Sequence, residues 1–274
     1  MNKMITDTKN VETASSANIE LANSIHSITV PKTQSPDKII TINTNNPDLS
    51  NKQIQITIEE DANATILISH QAATTNYSPK QISISVKKNA TAKIYETILF
   101  GSAESKTEIL LQEDSASANH VNIFLGSTQE KIVVETKMLH TANETKGNML
   151  CRAVLMGGAK ANFQAEISIP SNLKNIDSHQ NMKCLTIGDK AKCDALPILD
   201  VSSDSVSCSH GAAIGRIEDE PLTYLQSRGI SESKARAMLL KGFLMQELKN
   251  LPEETRNKIS NQIDLKLCAG DSNE

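Results

Sequence analysis

Gln53-Ile-Gln-Ile-Thr-Ile-Glu-Glu-Asp-Ala-Asn-Ala64 joins two patterns whose recurrence decides the fold. The first is strict alternation, which sets Ile54, Ile56 and Ile58 on one face of a strand. The second is a turn closed by small residues, Ala62-Asn-Ala64. Both return. Gln81-Ile-Ser-Ile-Ser-Val86 and Ala165-Glu-Ile-Ser-Ile169 repeat the alternation. The small-residue turn comes back as Ala90-Thr-Ala92, Ala116-Ser-Ala118, Ala159-Lys-Ala161 and Ala191-Lys-Cys193, with Val206-Ser-Cys208 a weaker copy. Asp, Asn, Gly or Lys usually stands just before it. Most copies lie 26 to 32 residues apart, with one spacing of 43 and a final one of 15. Stacked units of this length predict a β-solenoid, in which each layer buries its apolar side against its neighbours. Small side chains at a repeated corner let successive backbone rungs lie close together. The competing architecture is a β-sandwich whose hairpins happen to favour alanine.

Composition agrees with a solenoid. The 274 residues include no Trp, four Phe and three Tyr, so the interior must be built from Ile, Leu, Val and Ala. Charges nearly balance, with 28 Lys and Arg against 32 Asp and Glu. No basic surplus advertises nucleic acid or an anionic membrane. The five cysteines (Cys151, Cys184, Cys193, Cys208 and Cys268) are an odd number without paired spacing, in a chain too long to need disulfide staples. No apolar leader opens the chain, Asp7, Glu12 and Glu20 speak against a transit peptide, and no run reaches membrane-span length. A cytoplasmic protein is expected.

The chain divides into a flexible tail over 1–35, a β-helix core over 36–216 and a helical domain over 217–274. The tail is Asn-, Ser- and Thr-rich with weak periodicity. After 217 the period changes from two to helical. Glu218-Asp-Glu-Pro221 opens a short helix, and Arg228-Gly229 closes it with a glycine suited to a left-handed cap. Ser231 caps a second helix whose apolar face is read as Ala235, Met238, Leu239, Gly242 and Phe243. Pro252 opens a third, carrying Ile259, Ile263 and Leu267. Such short helices cannot bury much surface alone, so they must pack on the end of the solenoid, on a partner, or on both.

Chemistry concentrates at Cys208-Ser-His210. Imidazole binds iron, and thiolate is the usual ligand of iron–sulfur clusters. In a regular strand Val206, Cys208 and His210 share one face, with Ser207 and Ser209 on the other. Taken alone, Cys208 reads as core packing, because thiols inside a β-helix are usually inert. His179, Cys184 and Cys193 match no zinc spacing with close ligand pairs. His140 and Arg152 receive no role. There is no phosphate-cradling glycine loop and no specific acid/base pair, so a non-catalytic protein is expected.

Five blocks in order, Gly188-Asp-Lys-Ala191, Asp194-Ala-Leu-Pro197, Cys208-Ser-His-Gly-Ala212, Tyr224-Leu-Gln-Ser-Arg-Gly-Ile230 and Lys241-Gly-Phe243, resemble the carboxy-terminal half of the SufB/SufD family of iron–sulfur cluster assembly scaffolds. The amino-terminal half is similar only in its alternating texture, and the chain is shorter than typical members, which carry a further helical region before the β-helix. SufB-type chains have a glutamate directly after the histidine, where this sequence has Gly211. They also carry a scaffold cysteine at the position of Met182, with Cys184 the nearest thiol here. Both departures resemble SufD.

The resemblance implies a right-handed parallel β-helix, a heterodimer with a SufB-like subunit, and association with a SufC-like ABC ATPase. His210, with Cys208 as a weaker candidate, would border a transient iron or iron–sulfur site shared with SufB. Tyr224, Arg228, Gly229 and Phe243 would form or support the ATPase docking surface. Two other classes remain: a cytosolic β-solenoid interaction protein without a cluster role, and a β-helix polysaccharide lyase. The lyase would be marked by a row of acidic or basic residues along one solenoid face.

Overall fold

The structure is a computed structural model that describes residues 18–22, 25–33, 39–44, 49, 53–71 and 80–270. Fifteen strands come first: β1 (Asn18–Ala22), β2 (Ile25–Val30), β3 (Ile39–Asn43), β4 (Gln53–Ile58), β5 (Asn63–Gln71), β6 (Lys80–Val86), β7 (Thr91–Phe100), β8 (Ala103–Leu111), β9 (Ser117–Gly126), β10 (Lys131–His140), β11 (Lys146–Met156), β12 (Lys160–Ile169), β13 (Lys174–Ile187), β14 (Lys192–Val201) and β15 (Ser205–Gly215). Three α-helices follow, α1 (Asp219–Ser227), α2 (Glu232–Met245) and α3 (Glu253–Gly270), with a 3₁₀ turn over Gln246–Leu248.

From β2 onward the strands alternate between two sheets. One runs β1-β2-β4-β6-β8-β10-β12-β14 and the other β15-β13-β11-β9-β7-β5-β3. Every pairing is parallel except β1 with β2. The molecule is therefore a parallel β-solenoid with helices at its carboxy terminus, not a sandwich of antiparallel hairpins. The tail expected over 1–35 is only partly accessible. Residues 1–17 lie outside the described residues, as do 271–274 at the other end of the chain. Solenoid pairing begins at Ile25, ahead of the boundary expected near 36, because His26, Ile28 and Val30 already alternate inward under β4.

The irregular spacing of the small-residue turn has a geometric origin. Paired residues on successive rungs are 25 to 32 apart, from Lys80 with Ser105 to Lys160 with Lys192. Ala62, Ala90 and Ala116 open strands of one sheet, whereas Ala159 and Ala191 open strands of the other. The spacing of 43 is about one and a half rungs and that of 15 about half a rung. An unnoticed copy, Thr145-Lys-Gly147, fills the gap.

Asp61, Asn89, Ser115 and Glu144 stand before these turns with φ of 58°, 55°, 60° and 59°. Their N–H groups donate to the next rung's carbonyls at Lys88, Asp114, Asn143 and Lys174. A left-handed residue turns the chain there, and the small buried residue after it (Ala62, Ala90, Ala116 or Thr145) lets the corner close.

Side chains at alternate positions fill a lumen of stacked Ile, Val, Ala and Met. The outer face of the second sheet is apolar as well. Tyr95, Leu99, Val121, Ile123, Leu125 and Val154 point away from the lumen and pack under Leu240, Leu244, Leu248, Leu251, Ile259, Ile263 and Leu267. The helices thus lie along a flank of the solenoid rather than on its end. The face read for α2 is corrected too. Ala235, Leu240 and Leu244 are its buried residues, while Met238 is 46% exposed and Gly242 has open space around it. The sheet underneath selects that stripe.

Two ionic clasps hold the flank. Lys266 Nζ donates to both Glu130 oxygens at 2.7 and 2.6 Å, and Glu130 also accepts the Gly101 and Ser127 N–H groups. Arg152 donates to Glu247 Oε1 at 2.5 Å and to Asn181 Oδ1 at 3.3 Å. Arg152, without a role in the sequence reading, pins the helices to the solenoid wall.

Candidate functional site

The solenoid ends on β14 and β15, each with a strand on one side only. Their outer edges carry backbone donors and acceptors with no ladder partner among the described residues, a ready template for another chain. Register decides which β15 side chains face the lumen. Cys208 pairs with Ser178, His210 with Gln180, Ala212 with Met182 and Ile214 with Cys184. All four β13 residues are buried, so Cys208 and His210 share the inward face, with Val206 beside them. Ser207 and Ser209 take the outer face, where Ser209 bonds His179 at 2.6 Å.

His210 is exposed despite facing inward, because no rung covers it. It makes no hydrogen bond or ion pair among the described residues. Cys208 is half-buried against the core. Partial burial pushes its thiol up, opposed by a hydrogen bond from the Ser178 backbone. Beneath His210, Gln180 is 2% exposed. Its Nε2 donates to Ile198 O at 3.1 Å, while its Oε1 has no partner. The sequence reading missed Gln180. The signal was its position 30 residues before His210, one rung earlier on the same face.

Deeper in the lumen lie two polar clusters. His140 sits between Thr145 Oγ1 at 2.7 Å and Ser178 Oγ at 2.9 Å, and burial lowers its pKa to about 4. Gly147 makes room for it: a Cβ there would overlap Met138 and lie 2.6 Å from Ser178 Oγ. Farther in, Glu96 is fully buried. Its oxygens take His70 Nε2 at 2.8 Å, His120 Nε2 at 3.0 Å, Ser105 Oγ at 2.6 Å and Thr107 Oγ1 at 3.1 Å. Burial opposes ionisation, but the hydrogen bonds of the two histidines hold the carboxyl well below its ordinary range. The two imidazoles bind opposite oxygens and do not converge on one point. Among the described residues no group of three or more His, Cys, Asp or Glu is arranged to hold a metal.

The thiols are scattered by register. Met182 and Cys184 both face the lumen and are buried, whereas His179 points outward and bonds Asp177 at 2.8 Å. Cys184 shares a hydrogen bond with Cys193, which raises the Cys184 thiol and lowers that of Cys193. Burial raises Cys151. Zinc binding by His179, Cys184 and Cys193 together is excluded by their opposite facing.

Of the expected docking residues, Tyr224 is 58% exposed, and the Arg228 guanidinium lies 5.2 Å from its ring centroid. Gly229, at φ +85°, ends α1. Ile230 N–H bonds Leu225 O and Gly229 N–H bonds Gln226 O, the paired cap that requires a left-handed residue. Phe243 is half-buried against the helix–sheet core, with Arg152 5.8 Å from its ring centroid. Tyr224 and Arg228 are therefore surface residues, whereas Gly229 belongs to the α1 cap and Phe243 to the helix–sheet seam. On the outer face of the first sheet Lys106–Glu135 and Lys137–Glu166 pair opposite charges, so the charged row there has no single sign. No helix among the described residues is long and apolar enough to cross a membrane.

Comparison with known proteins agrees with this geometry. The family model described as SUF system FeS cluster assembly, SufBD core domain, matches residues 12–243. An iron–sulfur cluster assembly SufBD family protein of Mycobacterium leprae is 28% identical over 131 residues, 48% of this chain and 15% of the relative. The iron–sulfur cluster assembly protein SufD of Bacillus subtilis is 26% identical over 168 residues, 61% of this chain and 38% of its own. SufB of the same organism is 25% identical over 158 residues, 58% and 34%. The chain thus spans well under half the length of these relatives, and SufD and SufB match about equally well. With the family model covering the solenoid and the helix that follows its open end, this chain belongs to the SufB/SufD family of iron–sulfur cluster assembly proteins.

Proposed function

We propose that this chain is a SufD-like, non-catalytic scaffold subunit of a SUF-type iron–sulfur assembly complex. Its open solenoid end pairs edge to edge with a SufB-like subunit, so that His210, with Cys208 beside it, borders a transient iron or iron–sulfur site completed by the partner. The SufD-like assignment rests on Gly211 and Met182, which stand where SufB-type chains are expected to carry a glutamate and a cysteine. A SufC-like ATPase docks on the exposed surface of Tyr224 and Arg228. The observation that carries the reading is an unpartnered imidazole facing inward on a terminal strand paired along one edge only. Such an arrangement leaves both the backbone edge and a metal-binding nitrogen available to a second chain.

Co-expression with SufB-like and SufC-like proteins from the same source tests the proposal. All three chains are expected to co-elute. His210→Ala is expected to retain both partners but lose cluster absorbance on reconstitution with iron and sulfide. A Tyr224→Ala/Arg228→Glu variant is expected to lose the ATPase and keep SufB. Failure of the full chain to bind either partner overturns the reading.

A further inference from the structure

We infer that Gln180 is the positioning residue of His210: its amide oxygen accepts a hydrogen bond from one ring N–H and leaves the other nitrogen free to bind metal. The inference rests on the proposed role of His210 and adds the group that aims it.

Two unsatisfied groups lie one rung apart. Gln180 Oε1 is buried without a partner, and a buried acceptor left unsatisfied is destabilising. His210, its in-register neighbour on the same face, has none either. Rungs of a parallel sheet are about 4.8 Å apart, within reach of a ring N–H once the imidazole turns. The Gln180 amide is already oriented. Ile198 O only accepts, so the atom bonded to it must be the NH2 group, and the oxygen is the free end. Gln180 is held by the lumen, whereas His210 is exposed. The exposed ring is therefore the group that moves. A neutral imidazole that donates from one nitrogen presents a lone pair on the other, the arrangement that orients metal-binding histidines in general.

The test is ¹⁵N NMR of the full chain labelled at histidine, with His210→Ala used to assign the signal. The wild-type protein is expected to show a His210 ring N–H proton protected from solvent exchange at least tenfold over a free imidazole. Gln180→Leu, with its fold checked by circular dichroism, is expected to lose that protection. A His210 ring proton exchanging at the free rate in the wild type overturns the inference, and this result needs no variant to fold. So does protection that survives in Gln180→Leu. Ferrous iron is then added to the chain in complex with its SufB-like partner. If the ring proton is protected but iron leaves the second ring nitrogen unperturbed, the iron-site reading fails while the hydrogen bond stands.

Discussion

His140 shows how burial sets the charge state of a lumen side chain. Both ring nitrogens are satisfied by hydroxyls, so the neutral ring is complete and a proton would bring an unpaired charge. Its pKa is lowered to about 4 from about 6.5 in an unfolded chain. Below about pH 6.5 the unfolded state binds a proton that the folded state refuses. Stability from this group is therefore full at neutral pH and declines between about pH 6.5 and 4, by up to about 3 kcal/mol. Urea unfolding across that range is expected to show the decline, and His140→Gln to flatten it. Glu96 has the same sign for a different reason. Its lowered carboxyl contributes stability above the unfolded value near pH 4, lost as acid protonates it. Removing the carboxylate leaves His70 and His120 facing a void, so Glu96→Ala is expected to cost about 3–5 kcal/mol by urea midpoint. Neither role was legible in sequence, because His70 and His120 reach Glu96, and Ser178 reaches His140, from other rungs 24 to 38 residues away.

At the scale of elements, the helices depend on the sheet they cover. Helical periodicity identified Ile259, Ile263 and Leu267 correctly as the buried stripe of α3. The same periodicity misread α2, where Met238 and Leu240 both fit an apolar face and only the outer surface of the second sheet chooses between them. Lys266 reinforces α3 from a site 5% exposed, where losing a charged hydrogen bond costs about 2 kcal/mol. Lys266→Ala is expected to speed amide hydrogen exchange in α3 about thirtyfold, leaving the inner rungs unchanged. Equal acceleration in both regions would show instead that α3 and the solenoid open as one unit.

For the whole molecule, the helical flank is part of the core. A chain ending at residue 216 would expose Tyr95, Leu99, Val121, Ile123 and Val154 together, a patch that soluble monomers avoid. Such a truncation is expected to self-associate in size-exclusion chromatography and to bind a hydrophobic dye. A monodisperse truncation would show that the helices are an independent module. The surface variants at Tyr224 and Arg228 avoid this difficulty, because they leave the buried seam intact.

The sequence by itself determined the rung. Period-two alternation and a small-residue corner are local consequences of strand geometry and lumen width, so they were readable without the fold, and the block around His210 was readable with them. Only the tertiary structure decided which sheet each corner serves, which α2 face is buried, and that Gln180 lies beneath His210. Those outcomes depend on register between residues about 30 positions apart and on the apolar outer face of one sheet. Short-range periodicity carries no information about pairings over that distance.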